Sequence, residues 1–419
     1  MDTTRKLFVG YDLCEDFTQI SCYSYKSGEP IPISVREEEE QYLIPTALCV
    51  NSETKQWLFG EEAVACGASN AGILVNQLLD KLMNGVELRV YDQSFSPVSL
   101  LEKYLRKTLM LIKRHFPTEQ ITYMVITVQN THPTLVEGIY SALALLGLEK
   151  DRVVVMNHAG AYLYYALSQD KALWMNDVGL FDFNEESLLY YQIKLNRKTK
   201  PMIACLNKVD YSHILNYKVL KKQENPAYVF ENIANTALYK KLVTTLYFTG
   251  VGFEGGWAEE AIRGLCAGRR VFQGQNLFTK GACYAAMELS GDRKLEEFIL
   301  LNDDMITSVV AVKVYKDTKF QEEILAEAGK IWYEVNKCIE VIPEGAAELE
   351  LVLKDIMTRE VVRERIHLTN LVNRPDRMTR LEIRLTCKDQ ATGIITVNDL
   401  GFGEIYPGTG CIMEAMIEI

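Results

Sequence analysis

With 419 residues, 48% of them hydrophobic, the chain exceeds what one hydrophobic core usually supports, and two or three structural units are expected. A net charge of -11 and a pI near 5.2 argue against a surface for nucleic acid or anionic membrane. Ten cysteines without a C-x-x-C pair or a zinc-type His–Cys spacing read as reduced thiols, and the absence of a signal-like apolar region after Met1–Lys6 or of any stretch of membrane-helix length predicts a cytoplasmic location.

The first predicted elements are strands at 7–13 and 18–25 around an acidic turn, Cys14-Glu15-Asp16, as in a hairpin. A strand from Leu43 to Val50 follows, then Trp57-Leu58-Phe59 and a helix opening at Gly60-Glu61-Glu62-Ala63; the run Glu37 to Glu40 ahead of Leu43 reads as an exposed loop. Val98, Leu101, Tyr104, Leu105, Leu109 and Ile112 are spaced as one face of a helix, with Lys and Arg on the other side and Ser96-Pro97 as N-cap and first turn. A strand at 123–128, a helix from Pro133 to Leu146 and a strand at 153–156 make a β-α-β unit. Asn157 to Leu167 then begins a helix rich in small residues.

A second strand ending in an aspartate, Val178-Gly179-Leu180-Phe181-Asp182-Phe183, matches Phe8-Val9-Gly10-Tyr11-Asp12-Leu13 near the start, and two such turns suggest a duplicated domain facing one cleft. A hairpin partner at Leu188 to Leu195, a helical stretch from Pro226 to Leu242 and a strand at 245–248 follow. That strand delivers Thr249-Gly250-Val251-Gly252, and Leu277 to Ala286 opens a small-residue helix containing Gly281 and Ala282. After the apolar run Phe298 to Leu301 the pattern becomes β, with strands expected at 309–314, 331–341, 347–353, 365–371, 381–387 and 394–397 and turns at Pro343-Glu344-Gly345 and Thr392-Gly393.

The order of these pieces resembles the superfamily of actin, sugar kinases and the seventy-kilodalton heat-shock chaperones. The resemblance rests on the two Asp turns, the Ile44-Pro45-Thr46 strand with its Gly60-Glu61 helix start, the Gly-x-Gly at 250–252, the apolar run at 298–303 and the hairpin around Leu381 to Val397. It implies an α/β, two-lobed actin-like ATPase fold of duplicated ribonuclease-H-like lobes followed by a C-terminal β-sandwich: residues 1–167 as first lobe with connecting helix, 168–300 as second lobe with a reduced upper subdomain, and 301–419 as a sandwich like the chaperone substrate domain. About 68 residues from Asp182 to Gly250 is short for that second lobe. The chaperones' helical lid has no counterpart before Ile419.

Through the resemblance, Asp12 and Asp182 are the candidates for Mg²⁺ and its waters, Asn157 stands where the chaperones carry a catalytic glutamate, and Gly250, Gly252, Gly281 and Ala282 are candidates for nucleoside contact or, alternatively, for close helix–strand packing. The residues after the aspartates do not suit a phosphate, which needs small residues with free backbone N–H groups. Glu15, Asp16, Glu185 and Glu186 would instead repel a triphosphate, each like-charge pair costing on the order of 1 to 4 kcal/mol, and an amide at 157 cannot accept a proton. ATP or ADP with Mg²⁺ is therefore expected weakly or not at all; Ca²⁺ or Mg²⁺ alone on the acidic turns is a further option. No Gly-x-x-x-x-Gly-Lys-Ser/Thr occurs, and the five histidines, His158 and His367 among them, are expected to pack or to face solvent.

The arginines at 359, 363, 365, 374, 377, 380 and 384 can dock an acidic partner or pair with Glu360, Glu364 and Glu382 on a solvated face. The expected function is a chaperone-like, non-catalytic scaffold with a degenerate nucleotide site that engages protein or peptide through its sandwich, without nucleic acid or membrane. The alternatives are an active ATP-hydrolysing chaperone and a kinase of the same superfamily.

Overall fold

The computed structural model describes residues 6–36, 40–222, 224–292, 295–344, 348–369 and 371–419; Glu37 to Glu39 of the expected acidic loop, and Gly345 and Ala347, lie outside them. The chain is a mixed α/β protein whose C-terminal part is built of antiparallel sheets. It divides into two compact units, Met1–Leu195 with Leu206–Glu297, and Asn196–Cys205 with Phe298–Ile419.

The first unit repeats one pattern of strands and helices. Its first sheet runs in the order Val153–Asn157, Ile121–Val128, Leu7–Leu13, Phe17–Ser24, Glu29–Pro32. Its second runs Arg270–Gln273, Val243–Thr249, Asp177–Phe183, Leu188–Asn196, then the Leu206 to Asp210 part of Met202–Asp210. In both, the central strand is antiparallel to the next strand in sequence and parallel to the strand on its other side, which is parallel to the edge strand. The helices recur in step: Pro97–His115, Pro133–Ala144 and His158–Leu167 in the first half, Pro226–Leu238, Glu259–Leu265 and Leu277–Leu289 in the second. Only the insertions differ. Between Pro32 and Pro97 the first half adds a three-stranded sheet, a hairpin and two helices, while from Tyr211 to Asn225 the second half holds one short helix, Tyr217–Leu220.

Period-two alternation sorts the central strands. Leu7, Val9, Tyr11 and Leu13 enter one core with Leu100, Leu101, Leu105, Ile126 and Ile139, so Phe8, Gly10 and Asp12 face the opposite side. Phe181 and Phe183 enter a second core with Phe230, Ile233 and Phe253, which turns Asp182 the other way.

On those other faces the closing helices cross over. Leu277–Leu289, from the second half, packs on the first sheet: Thr279 Oγ1 donates to the Gly10 carbonyl at 3.0 Å, and Ala282, Cys283 and Ala286 share a cluster with Phe8 and Val125. His158–Leu167, from the first half, meets the second sheet through Tyr162 and Tyr165, whose rings lie 6.3 and 5.5 Å from Tyr247. The helices touch where Gly281 faces the Ala161 carbonyl; a Cβ there would lie 2.0 Å from that oxygen, and one on Gly10 would lie 2.0 Å from the Thr279 carbonyl.

Helix Pro97–His115 begins as expected, with Ser96 Oγ accepting from Ser99 N at 3.2 Å. The segment 43–50 is not one strand but two, Ile44–Pro45 and Leu48–Asn51, because Pro45 carries no N–H to continue a ladder.

In the second unit two antiparallel sheets share one apolar core. Val310, Val312, Leu325, Leu349, Leu351 and Leu353 come from one sheet, Leu381, Ile383, Leu385, Ile395, Val397 and Ile417 from the other. Phe298–Leu301, which resembles a linker, is a strand paired in parallel with Met202–Cys205. The segment 331–341 gives a turn at Trp332–Glu334 and a strand only from Asn336, and the expected turn at Thr392-Gly393 sits earlier, where Lys388 N donates to the Thr392 carbonyl. Strands Lys319–Ala326 and Ile412–Glu418, with weaker alternation, escape the sequence reading.

The arginine run splits by role. Arg380 and Arg384 pair with Glu340 and Glu382, Arg377 with Glu344, all partly exposed. Arg374 is different: its guanidinium meets Asp399 through two bonds of 2.7 and 2.8 Å, with the side chains 4% and 0% exposed. Asp399 also accepts from Gly401 N and Thr409 Oγ1, and these donors hold its carboxyl far below the usual carboxylate range.

Two consequences are measurable by denaturant unfolding. Gly281→Ala forces the crossing helices apart and is expected to cost about 1–3 kcal/mol, whereas Gly264→Ala, with open space around the new methyl, gains about 0.5–1 kcal/mol in a helix. Asp399→Ala strands a buried guanidinium and is expected to cost about 3–5 kcal/mol, while Arg380→Ala stays within about 0.5 kcal/mol.

Candidate functional site

The two aspartates occupy equivalent places. Asp12 is the last but one residue of its strand and registers with Thr127; Asp182 is the last but one of its own and registers with Thr249. Both are buried, at 8% and 3% exposure.

His158 bridges the site. It is the first residue of the helix that closes the first half, capped by Asn157, whose Oδ1 accepts from Gly160 N at 2.8 Å. Its ring stacks on Phe278 of the other crossing helix at 3.9 Å and 12°. Nε2 donates to Asp12 Oδ1 at 2.8 Å, and Nδ1 is buried without a hydrogen-bond partner among the described residues. His158 packs as expected, and it also meets a carboxylate: the strand Val153–Asn157, ending beside the strand that registers with Asp12, delivers it to that side chain.

Cys14 completes the first turn. Its Sγ lies 3.5 Å from Asp12 Oδ1 and 3.6 Å from His158 Nε2. Burial, then the Asp12 and Asp182 carboxylates, push this thiol well above its ordinary range. Asp182 Oδ2 is buried without a partner, and its carboxyl is pushed up to about 7 by burial, against the opposing influence of His158; Asp12 raises it further and Lys208 lowers it. Lys208 Nζ donates to Asn130 Oδ1 at 2.7 Å.

Several backbone amides of the two turns are engaged locally. Cys14 N donates to the Phe17 carbonyl and Asn184 N to the Ser187 carbonyl, while Asn184 Oδ1 accepts from Glu186 N and Ser187 N. Asp16 is raised by burial and then by Glu185, the two acidic turns being close enough to repel. Glu15 is drawn away, its Oε2 accepting from Asp80 N.

The candidate nucleoside contacts face protein. A Cβ on Gly250, at φ +99°, would meet the Phe183 carbonyl at 2.2 Å, and one on Gly252 would meet the Phe183 ring at 2.4 Å. Gly281 faces the Ala161 carbonyl, and Ala282 is buried in the cluster with Phe8. A cleft of about 390 Å³ opens near the Leu277–Leu289 helix start, lined by Phe17, Gln19, Tyr42, Pro45, Gln275 and Asn276. His367, by contrast, is exposed and lies 3.0 Å from Glu348.

No helix among the described residues is long and apolar enough to cross a membrane. The chain belongs to the family described as "family of unknown function (DUF5716) C-terminal", which matches residues 29–303. Residues 305–419 match a second description, "domain of unknown function (DUF8552)". Comparison with curated proteins finds no match.

The raised Asp182 carboxyl has a signed consequence. Its folded pKa lies above the unfolded one, so its protonated form favours folding below about pH 4, and that contribution is lost as pH rises toward about 7. Asp182→Asn, neutral throughout, is expected to raise the thermal midpoint at about pH 8 and leave it nearly unchanged at about pH 4; an equal shift at both would refute the burial argument.

Proposed function

We propose that the first unit is a degenerate member of the actin and heat-shock-chaperone superfamily, with two ribonuclease-H-like lobes, and that the protein is a chaperone-like scaffold engaging protein or peptide through its C-terminal sheets. The observation that carries this reading is the repeated strand order with Asp12 and Asp182 at the same register. In that superfamily the corresponding turns hold the phosphates of a magnesium-bound nucleotide. Here the residues do not fit such a group: the amides of Cys14, Asn184, Glu186 and Ser187 are engaged, Asp12 is held by His158, acidic residues flank both turns, and Phe183 fills the space beside Gly250 and Gly252.

The second unit offers a surface for a partner. Arg374 ties the loop carrying Val372 to the turn carrying Phe402 and Ile405 by its bonds to Asp399 and the Pro407 carbonyl, and those three apolar side chains are 49%, 41% and 83% exposed. Apolar side chains on a pinned loop suit an extended apolar peptide, since little ordering entropy remains to oppose binding.

Calorimetric titration of the whole chain with ATP, ADP and adenosine, each with and without Mg²⁺, together with a phosphate-release assay, tests the degenerate site. The expected outcome is no magnesium-dependent triphosphate binding and no phosphate release. Turnover that Asp12→Ala abolishes would overturn the reading and restore an ATP-driven cycle.

A further inference from the structure

We propose that Asp12, Cys14 and His158 form a three-residue binding site for a divalent transition metal ion of the zinc type. This inference goes beyond the superfamily reading and does not depend on it, because it uses only the side chains gathered at the site.

The geometry comes first. Among the described residues, one ligand atom from each of the three lies within 4.8 Å of the others. Zinc holds sulfur at about 2.3 Å and nitrogen or oxygen at about 2.0–2.2 Å in a tetrahedron, so sulfur-to-nitrogen and sulfur-to-oxygen edges near 3.5 Å are required. The two sulfur edges here are 3.6 and 3.5 Å. The third edge, 2.8 Å, is shorter because a proton now joins Nε2 to Oδ1; a metal ion replacing that proton widens it.

An independent observation points to the same place. Asp182 is 97% buried by the complement of its 3% exposure, its Oδ2 has no partner among the described residues, and its carboxyl senses His158, Asp12 and Cys14 electrostatically. A buried carboxylate oxygen without a donor is costly unless a cation or proton satisfies it. A cation held by Asp12, Cys14 and His158 would lower that cost through its charge.

Donor chemistry selects the metal class. A thiolate and an imidazole are soft and borderline ligands that favour zinc or a similar transition ion over Mg²⁺ or Ca²⁺, which take oxygen. Binding releases the Cys14 thiol proton to solvent; the imidazole stays neutral, giving up its Nε2 proton and carrying one on Nδ1. The ring is already fixed by its stacking on Phe278 and by the Asn157 cap at the helix start, so little is lost in ordering it. The sequence hides this set because its spacing is non-local: Cys14 follows Asp12 by two residues on one strand end, whereas His158 arrives from the far end of the sheet.

The test uses the full chain, stripped of metal by a chelator and titrated with Co²⁺. The expected result is one equivalent bound, with a near-ultraviolet thiolate-to-cobalt charge-transfer band that Zn²⁺ displaces. Cys14→Ser is expected to abolish the band and His158→Gln to weaken binding at least tenfold, while Cys266→Ser, at an exposed thiol, leaves both unchanged. In case Cys14→Ser does not fold, Zn²⁺ is also expected to protect Cys14 of the unaltered protein from alkylation, read by mass spectrometry. A folded protein without the band, a band that survives in Cys14→Ser, or alkylation of Cys14 at the same rate with and without Zn²⁺ would overturn the proposal.

Discussion

The first unit depends on the close crossing of two helices. His158–Leu167 and Leu277–Leu289 each leave one half of the repeat and pack on the sheet of the other, and they approach so tightly that Gly281 touches the Ala161 carbonyl and Gly10 the Thr279 carbonyl. A single methyl at either glycine fills space that backbone already occupies. Because each helix begins where a parallel strand ends, the crossing also fixes which side chains meet: His158 and Phe278 stack, and Asp12 and Asp182 come to face them. The fold and the site are therefore consequences of one packing constraint.

What gathers at that point is a concentration of titratable groups in a poorly hydrated place. Asp12, Asp182, Cys14 and His158 are close enough to perturb one another, while Asp16 and Glu185 add negative charge at the rim. Burial disfavours every charged form, so the site is satisfied by sharing protons or by taking a cation. An anionic triphosphate meets the opposite situation, since acidic side chains flank the turns and the Cys14, Asn184, Glu186 and Ser187 amides already donate to Asn184 and to nearby carbonyls. The same local hydrogen bonds that make the turns rigid make them unreceptive to phosphate.

The second unit solves a separate problem. Its core cluster is apolar, yet the unit also holds a buried ion pair, Arg374 with Asp399, where the chain must hold an irregular loop against a strand end. Asp399 receives five donors at that point, from Arg374, Gly401 and Thr409, which is why burial there is tolerated. The other arginines of the same run stay at the surface with their glutamates, and the contrast shows how little charge alone says about role.

Much of the repeat was legible in the chain. Alternation around Asp12 and Asp182 identified the central strands, Ser96-Pro97 announced a helix, and the small residues at 157–167 and 277–286 announced close helix packing, because each of these signals is local. Strands with weak alternation, 319–326 and 412–418, were not legible, since their burial depends on what covers one face. The site was legible only in part: two aspartates could be named from strand ends, and close packing was one of the two readings of the glycines at 250 and 252, which Phe183 fills, but Cys14 read as a turn residue and nothing local showed that the packed His158 would meet Asp12. The sequence by itself determined the elements and the repeat, through residue periodicity and turn chemistry; only the tertiary structure decided which residues meet, because contacts among positions 12, 14, 158 and 278 are set by how two helices cross.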